Sequence, residues 1–518
     1  MSAPAARRDH LRLALNGVVH ELRGADTFLT LATWLRERQR LVGTKIVCSE
    51  GDCGACTVLV GEVRPDSARP DPTTAGGRLV YRALDSCITF LYQLDGCHVV
   101  TVDALARRVD ERIELHPVQR EMAEKFGSQC GFCTPGFVMA LLALGEEAHA
   151  RGRLHSPPSR LSDSDLRRGL SGNLCRCTGY VQILDAARAM DPASTPALAA
   201  LFDEPRLVAA LAGARSETVR VDAGERSVTL PATWAEALAW RAREPQGVVV
   251  AGATDLGVQV NKGRALPERI LHLRTSVDGY AAVTFGDGVA RLGAGARWAD
   301  VLSRADEFAP ELARILELFG APQIRNAGTV GGNLVNASPI ADSLPFFYAA
   351  EARVELDSTR GRRTLAIAEL YRGYKELDLL PDELLAAVVV PLPGPGESLR
   401  LLKVSRRRDL DISTFTAALW LRRAGGRIEA ARLALGGVGP TVVRLPAAEA
   451  RLAGAPFALA SFRAAGELAA AEIRPISDVR GSAAYRRLLA RNALVHFFHD
   501  LGGASDPAGA AGSARGAA

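Results

Sequence analysis

The chain has 518 residues and a mass of 55.0 kDa, a length that predicts about three to four domains, and its 48% hydrophobic and 23% charged residues with a mean hydropathy of +0.05 exclude extended disorder, collagen and coiled coil. The net charge of +5 is spread along the chain and is almost all arginine, lysine occurring only as Lys45, Lys125, Lys262, Lys375 and Lys403, a distribution that argues against a phosphate-tracking nucleic-acid surface. No apolar run approaches the roughly 18 residues of a membrane span, the longest candidate being Gly136 to Leu144.

In chain order, Met1 to His10 carries charge but no apolar segment followed by a small-residue cleavage site, so no secretory signal is expected and the protein is placed in the cytoplasm. Leu11 to Leu22 alternates apolar residues around Asn16-Gly17, the signal of a type I′ hairpin, and Thr27 to Arg40 predicts an amphipathic helix. All nine cysteines fall between Cys48 and Cys177, and an odd number in a reducing compartment points to metal or cluster ligation rather than disulfides. Cys48, Cys53, Cys56 and Cys87 are spaced C-x4-C-x2-C followed by one distant cysteine, the plant-type ferredoxin pattern for a 2Fe-2S cluster, with Gly51 and Gly54 supplying the sharp turns. Buried structural cysteines or a zinc site are the alternatives. Cys97 is left over and expected to be buried.

Cys130 and Cys133, then Cys175 and Cys177, form a second group among four predicted helices, His116 to Phe126, Phe137 to Ala150, Asp163 to Leu170 and Val181 to Met190. Two ligand pairs at helix ends could surround one cluster, although C-x2-C plus C-x-C could also hold zinc. Asp191 to Glu225 is rich in Ala and Pro and predicts a linker. Beyond it a buried strand, Val248 to Val250, runs into Ala251-Gly252-Ala253-Thr254-Asp255-Leu256-Gly257, and a second glycine-rich segment follows at Gly328-Thr329-Val330-Gly331-Gly332-Asn333. Glycines in both could turn N–H groups toward phosphate oxygens, but neither is the Rossmann fingerprint, and each alone is more readily a tight turn. Arg406 to Arg408 is best read as a solvated surface run.

The stretches Cys48-Ser-Glu-Gly-Asp-Cys53-Gly-Ala-Cys56-Thr57, Gln129-Cys130-Gly-Phe-Cys133-Thr-Pro-Gly136 and Gly172-Asn-Leu-Cys175-Arg-Cys177-Thr-Gly-Tyr180 resemble the two iron-sulfur motifs of the molybdenum hydroxylase family. The segments from Val249 to Leu256, at Phe319, and from Thr329 through Asp342, and the later stretch to Asp409, are similar to its FAD domain. The resemblance implies a multidomain α+β chain: a β-grasp ferredoxin domain at 1–95, a helical-bundle 2Fe-2S domain at 96–190, a linker at 191–225, an α/β FAD-binding domain of the non-Rossmann, PCMH-like type at 226–398, an α/β C-terminal domain at 399–502 and a disordered tail at 503–518. It implies 2Fe-2S clusters on both cysteine groups, and FAD on Val249, Val250, Ala251, Gly252, Ala253, Thr254, Asp255 and Leu256 with Thr329, Val330, Gly331, Gly332 and Asn333. Phe319 would sit beside the isoalloxazine ring, and Asp342, Leu385 and Lys403 would touch the flavin or its adenine end.

The resemblance stops where fused family members continue into a molybdenum domain, so it implies the small subunit of a two-chain xanthine dehydrogenase type. That subunit would pair with a molybdenum-cofactor-binding large subunit, as a heterotetramer of two small and two large chains. Gln129 would face the molybdopterin of the partner, and no hydroxylation catalyst would lie on this chain. Electrons would pass from molybdenum through both clusters to FAD and NAD+. Related aldehyde or N-heterocycle dehydrogenases, or a scaffold subunit with structural flavin, are the other readings.

Overall fold

The computed structural model describes residues 7–65, 77–152 and 160–502; the tail expected at 503–518 lies outside them. Leu11–Leu15 and Val18–Leu22 form the expected hairpin, with Asn16 (φ 50°) and Gly17 (φ 88°) both left-handed as a type I′ turn requires. The hairpin joins a five-stranded sheet in the order Val18–Leu22, Leu11–Leu15, Cys97–Val100, Thr57–Pro65, Gly77–Asp85, whose first and last chain segments run parallel through Ala14 opposite His98. That mixed sheet is a β-grasp.

The helix expected over 27–40 is shorter. Gly24–Phe28 is a 3-10 turn and the α-helix covers only Leu31–Glu37, because the Thr30 hydroxyl accepts the Thr33 N–H and starts the helix there. The four helices of the second domain appear as Pro117–Glu124, Thr134–Gly152, Asp163–Leu170 and Val181–Ala189, the first capped by His116 and opened by Pro117. Among the described residues no helix is long and apolar enough to cross a membrane.

The flavin half contains two five-stranded sheets. One runs Arg7–Arg8, Thr218–Ala223, Arg226–Leu230, Arg269–His272, Val248–Val250; the other runs Val283–Gly286, Val289–Gly293, Leu384–Pro391, Arg353–Ser358, Gly361–Ala366. The C-terminal part is an antiparallel sheet of Glu397–Val404, Phe415–Ala424, Arg427–Gly436 and Val443–Arg444, and its core is shared with the helices Leu459–Glu472 and Ala483–Asp500.

Segment 191–225, expected as a linker, is not unpatterned chain. It forms the helices Leu198–Leu201 and Glu204–Leu211 and the strand Thr218–Ala223, and its Leu198, Leu207, Val208 and Leu211 enter the core of the helical domain and the ferredoxin sheet. Burial of those side chains outweighs the low order suggested by the Ala/Pro composition. A second core is likewise common to two parts: Leu13, Trp34 and Val99 of the ferredoxin domain pack with Val219, Val228, Val250 and Ile270 of the first flavin sheet.

Charge locks the same junction. Asp95, fully buried, receives Arg8 at 2.9 Å and Arg274 at 3.1 Å, while Arg8 also pairs with Glu217. Glu62 receives Arg297 at 2.5 Å and Arg215 at 2.9 Å, and those two arginines hold its carboxyl well below the usual range despite the opposing effect of burial. Removing one member of such a group strands the others without compensation. Asp95→Ala is expected to cost about 3–5 kcal/mol, read as a lower urea midpoint for separation of the ferredoxin and flavin parts; an unchanged midpoint would show that the apolar core alone holds them.

Candidate functional site

The turn glycines predicted at Gly51 and Gly54 are left-handed (φ 70° and 66°), and they bend the loop so that its thiols meet the one delivered after Gly77–Asp85. Cys48 contacts Cys53 and Cys87, and Cys87 also contacts Cys56. The Cys53 and Cys87 contacts, aided by the N–H groups of Asp52 and Glu50, pull the Cys48 thiol far down against the effect of burial; Cys87, held against Cys48 and Cys56, is pushed up.

In the helical domain the meeting pairs are Cys130 with Cys177, at 3.5 Å, and Cys133 with Cys175. The Thr178 hydroxyl lies 3.1 Å from the Cys175 sulfur and helps draw that thiol down against burial. Cys133 is pushed up to about 12 by burial and by Cys175. Among the described residues no three His, Cys, Asp or Glu side chains surround one point as a single metal ion requires. Four thiols drawn together in each domain, as a chain of contacts in the first and as two pairs in the second, suit a two-iron cluster, which takes two thiolates on each iron. Cys97 is buried in its strand, pushed up to about 12 by burial, and contacts none of the eight.

The two glycine-rich segments converge on one cavity of about 390 Å³, within the ordinary range for ligand sites. Val249 to Leu256, Thr329, Gly331, Gly332, Asn333, Phe319 and Leu385 line it. Their roles differ from expectation. In the first segment the N–H groups of Gly252, Ala253, Thr254 and Asp255 have no acceptor among the described residues, and Ala253 is held left-handed (φ 57°), which makes a concave nest of donors suited to a diphosphate. In the second, Val330 N–H donates to Ala296, Gly331 to Ala294 and Gly332 to the Thr329 hydroxyl, so the predicted free donors are already engaged. Thr329 caps the short helix Val330–Val335, Val330 is core, and Asn333 takes the Ser343 hydroxyl on its Oδ1, leaving its NH2 group for a ligand.

Other expectations need correction. Of Val248 to Val250, all of which border the cavity, only Val250 is buried, packing into the core shared with the ferredoxin domain. Asp342 and Lys403 do not line the cavity; they pair at 2.6 Å, and the three Lys403 donors are taken by Asp342, Leu318 O and Asp411 O, while Asp342 also accepts the Ser413 hydroxyl. Sequence reasoning missed Trp298, whose ring lies 5.2 Å from that of Phe319, and Arg241, whose buried Nε faces no acceptor; both line the cavity. Arg241 sits in an amphipathic helix, Trp234–Arg243, where nothing distinguishes it from other surface arginines. Arg406 to Arg408 are exposed as expected.

The three sites adjoin. Leu174 N–H donates to the carbonyl of Cys53 at 3.0 Å, joining the residue before Cys175 to a thiol bearer of the other group. Gln323, from the flavin domain, donates to Thr57 and to Asn173, beside each group in turn. Asn261, at the end of the helix Leu256–Asn261 that follows the donor nest, bonds the carbonyls of Ser49 and Cys87, both at 2.9 Å. Ile324 lines the cavity and packs with Cys56, Cys87 and Ile88. When bound, iron-sulfur clusters supply one-electron transfer and flavin a two-electron store.

Cys175→Ser is expected to lower iron from about four to about two per chain and to remove one reduced-state paramagnetic signal, with Cys97→Ser keeping both; loss of a cluster in Cys97→Ser would overturn the ligand assignment. At Gly252 an added Cβ would lie 2.1 Å from the Ala327 carbonyl, so Gly252→Val should lose flavin while keeping both cluster signals. Retained flavin absorbance would remove the nest from the site.

The chain matches four domain families in order: a 2Fe-2S iron-sulfur cluster binding domain at 14–91, a [2Fe-2S] binding domain at 101–188, the FAD binding domain in molybdopterin dehydrogenase at 222–393 and the CO dehydrogenase flavoprotein C-terminal domain at 400–501. It is 30% identical to a xanthine dehydrogenase of Drosophila subobscura over 81% of this chain and 34% of the relative, and 28% identical to that of Emericella nidulans over 95% of this chain and 39% of the relative. The chain thus spans about a third of the length of these relatives. In structure it resembles a chain of the carbon monoxide dehydrogenase from Hydrogenophaga pseudoflava that lacks the Mo-pyranopterin moiety, with a TM-score of 0.50 and 28% identity, covering 52% of this chain and 94% of that one. The chain belongs to the xanthine dehydrogenase-like molybdenum hydroxylases, of which it carries the iron-sulfur and flavin module.

Proposed function

We propose that the chain is the electron-transfer subunit of a cytoplasmic xanthine dehydrogenase, oxidising xanthine or hypoxanthine to urate with NAD+ as acceptor and with a molybdenum-cofactor-binding large subunit as partner, two of each chain assembling together. The observation that carries it is the hydrogen bond from Leu174 N–H to the Cys53 carbonyl, which couples the helical-domain cysteine quartet to the ferredoxin one, itself tied to the flavin cavity by Asn261 and Ile324. This order makes the helical quartet the entry point, because Cys130 and Cys177 are exposed with Gln129 beside them, where the molybdenum cofactor of a partner could approach. The residues of this chain hold and space the centres; none is asked to move a proton on the purine. The similarity to xanthine dehydrogenases over most of this chain supports the substrate and the acceptor.

A related dehydrogenase with another substrate is the second reading, favoured by the likeness to the carbon monoxide dehydrogenase chain. Co-expression with the large subunit is expected to give xanthine-dependent NAD+ reduction that Gly54→Ala slows, since a Cβ there would lie 2.2 Å from the Gly172 carbonyl and part the two quartets. Turnover with carbon monoxide, an aldehyde or an N-heterocycle but not with xanthine would establish the second reading. Cluster reduction by xanthine with no NAD+ reduction would remove the acceptor assignment.

A further inference from the structure

Behind the flavin loop, on the ferredoxin side, lies a second and smaller cavity of about 50 Å³, room for a few particles the size of water. Arg82, Arg215, Arg274 and Arg297 line it together with a single carboxylate, Glu62. That carboxylate is fully engaged: Arg297 grips both oxygens, Arg215 shares Oε1 and Arg64 takes Oε2. Widening the count to every ion-pair partner leaves six guanidinium groups, those of Arg8, Arg64, Arg82, Arg215, Arg274 and Arg297, facing four carboxylates, those of Glu62, Asp95, Glu217 and Asp300.

The excess is matched by missing bonds. Arg274, 1% exposed, spends its two terminal nitrogens on Asp95 and on the carbonyls of Ala214, Glu217, Leu230 and Pro231, yet its Nε has no acceptor. Arg215 Nε and Arg82 Nη1 are likewise buried without acceptors, although Arg215 pairs with Glu62 and Arg82 with Asp300. Three unmet donors on three cationic side chains lining one cavity are costly unless an acceptor occupies it. His272, also on the wall, gives its Nδ1 to the Val250 carbonyl, and burial with the nearby Arg274 pushes it down to about 3, so it stays neutral and adds no charge. Arg274 itself is pushed down to about 10, by burial first and by Arg215 and Arg8, against the opposing pull of Asp95, whereas Glu62 holds the Arg215 and Arg297 guanidinium groups up.

We propose that this cavity is a binding site for a small inorganic anion, a halide such as chloride, held by Arg82, Arg215 and Arg274. Water would offer acceptors but leave the charge uncompensated, whereas an anion supplies the acceptors and the compensating charge together. The site joins three parts of the chain: Arg82 from the ferredoxin sheet, Arg215 from the connecting segment and Arg274 from the flavin domain. Its wall also includes Ala251, Gly252 and Thr329, which line the flavin cavity on their other side. An anion here would brace the junction that seats the flavin loop against the ferredoxin domain.

The test uses the full chain with its clusters and flavin, and bromide as probe. Crystals grown in sodium bromide should show one anomalous peak in contact with Arg82, Arg215 and Arg274. In solution, replacing sodium gluconate with sodium bromide or chloride at constant ionic strength should raise the melting temperature along a saturable curve. Arg215→Gln should abolish the saturable part; should that variant fail to fold, Arg82→Gln, which leaves every Glu62 pair intact, should shift the half-saturating halide concentration upward by about tenfold. No anomalous peak, or a peak with equal melting curves in gluconate and halide, would leave water or binding at crystal concentration only, and would overturn the proposal.

Discussion

Asp95 stands where the ferredoxin sheet, the first strand of the chain and the flavin domain meet, and its carboxylate is shared by Arg8 and Arg274. Arg8 lies in a strand that leaves the ferredoxin domain and pairs with Thr218–Ala223 of the flavin half, while Arg274 reaches back across the same boundary to the carbonyls of Glu217, Leu230 and Pro231. A buried ion pair earns little net stability against a well-packed apolar core, but it tolerates only one geometry. The apolar cores shared across the boundary supply the adhesion, and the charges specify the register. Registration matters here because both the Asn261 contact with Cys87 and the position of Ile324 depend on how the two halves seat.

The two cysteine quartets differ in ways their spacing alone does not convey. Cys56 and Cys87 are buried, whereas Cys130 and Cys177 are exposed. Burial penalises the added negative charge of a reduced cluster, and N–H or hydroxyl donors to sulfur offset that penalty. The ferredoxin loop has such donors at Glu50 and Asp52 for Cys48; the helical domain has Phe132 for Cys130 and Thr178 for Cys175. Each quartet therefore balances solvent access against local donors in its own way.

The ferredoxin hairpin and the four helices were legible in the sequence because each rests on short-range rules, an Asn-Gly turn and a 3.6-residue period, and spacing pointed to a cluster loop at Cys48, Cys53, Cys56 and Cys87; spacing alone left Cys130, Cys133, Cys175 and Cys177 open between zinc and a cluster, and only the family resemblance implied the latter. The flavin cavity was half legible. Its walls lie where the glycine-rich segments predict, but which N–H groups remain free is decided by long-range partners, Ala294 and Ala296 in the case of Gly331 and Val330. Lys403 and Asp342 show the same limit, since only the fold reveals that they satisfy each other and Ser413. The connecting segment was read as loose because its composition is poor in pattern; the four apolar side chains it inserts into the helical-domain core become visible only when the partner surface is present.

What sets the distances between centres is backbone meeting backbone. An added Cβ at Gly136 would lie 2.2 Å from the Gly54 carbonyl, at Gly54 2.2 Å from Gly172 O, at Gly257 2.6 Å from Ile88 O and at Gly252 2.1 Å from Ala327 O. The first two contacts join the quartets, the third joins the buried quartet to the helix behind the donor nest, and the fourth closes the two cavity segments on each other. In each case the obstacle is a peptide oxygen rather than a side-chain tip, so the neighbour cannot rotate away and the only relief is to separate the elements. Side-chain packing at the same boundaries would have added the thickness of two residues to every step, whereas glycine contact brings the cysteine loops and the flavin cavity within a single layer of backbone of one another. Close approach of the cysteine loops and the flavin cavity therefore rests on glycines, despite the conformational entropy they cost, because a Cβ at any of these positions would meet a peptide oxygen.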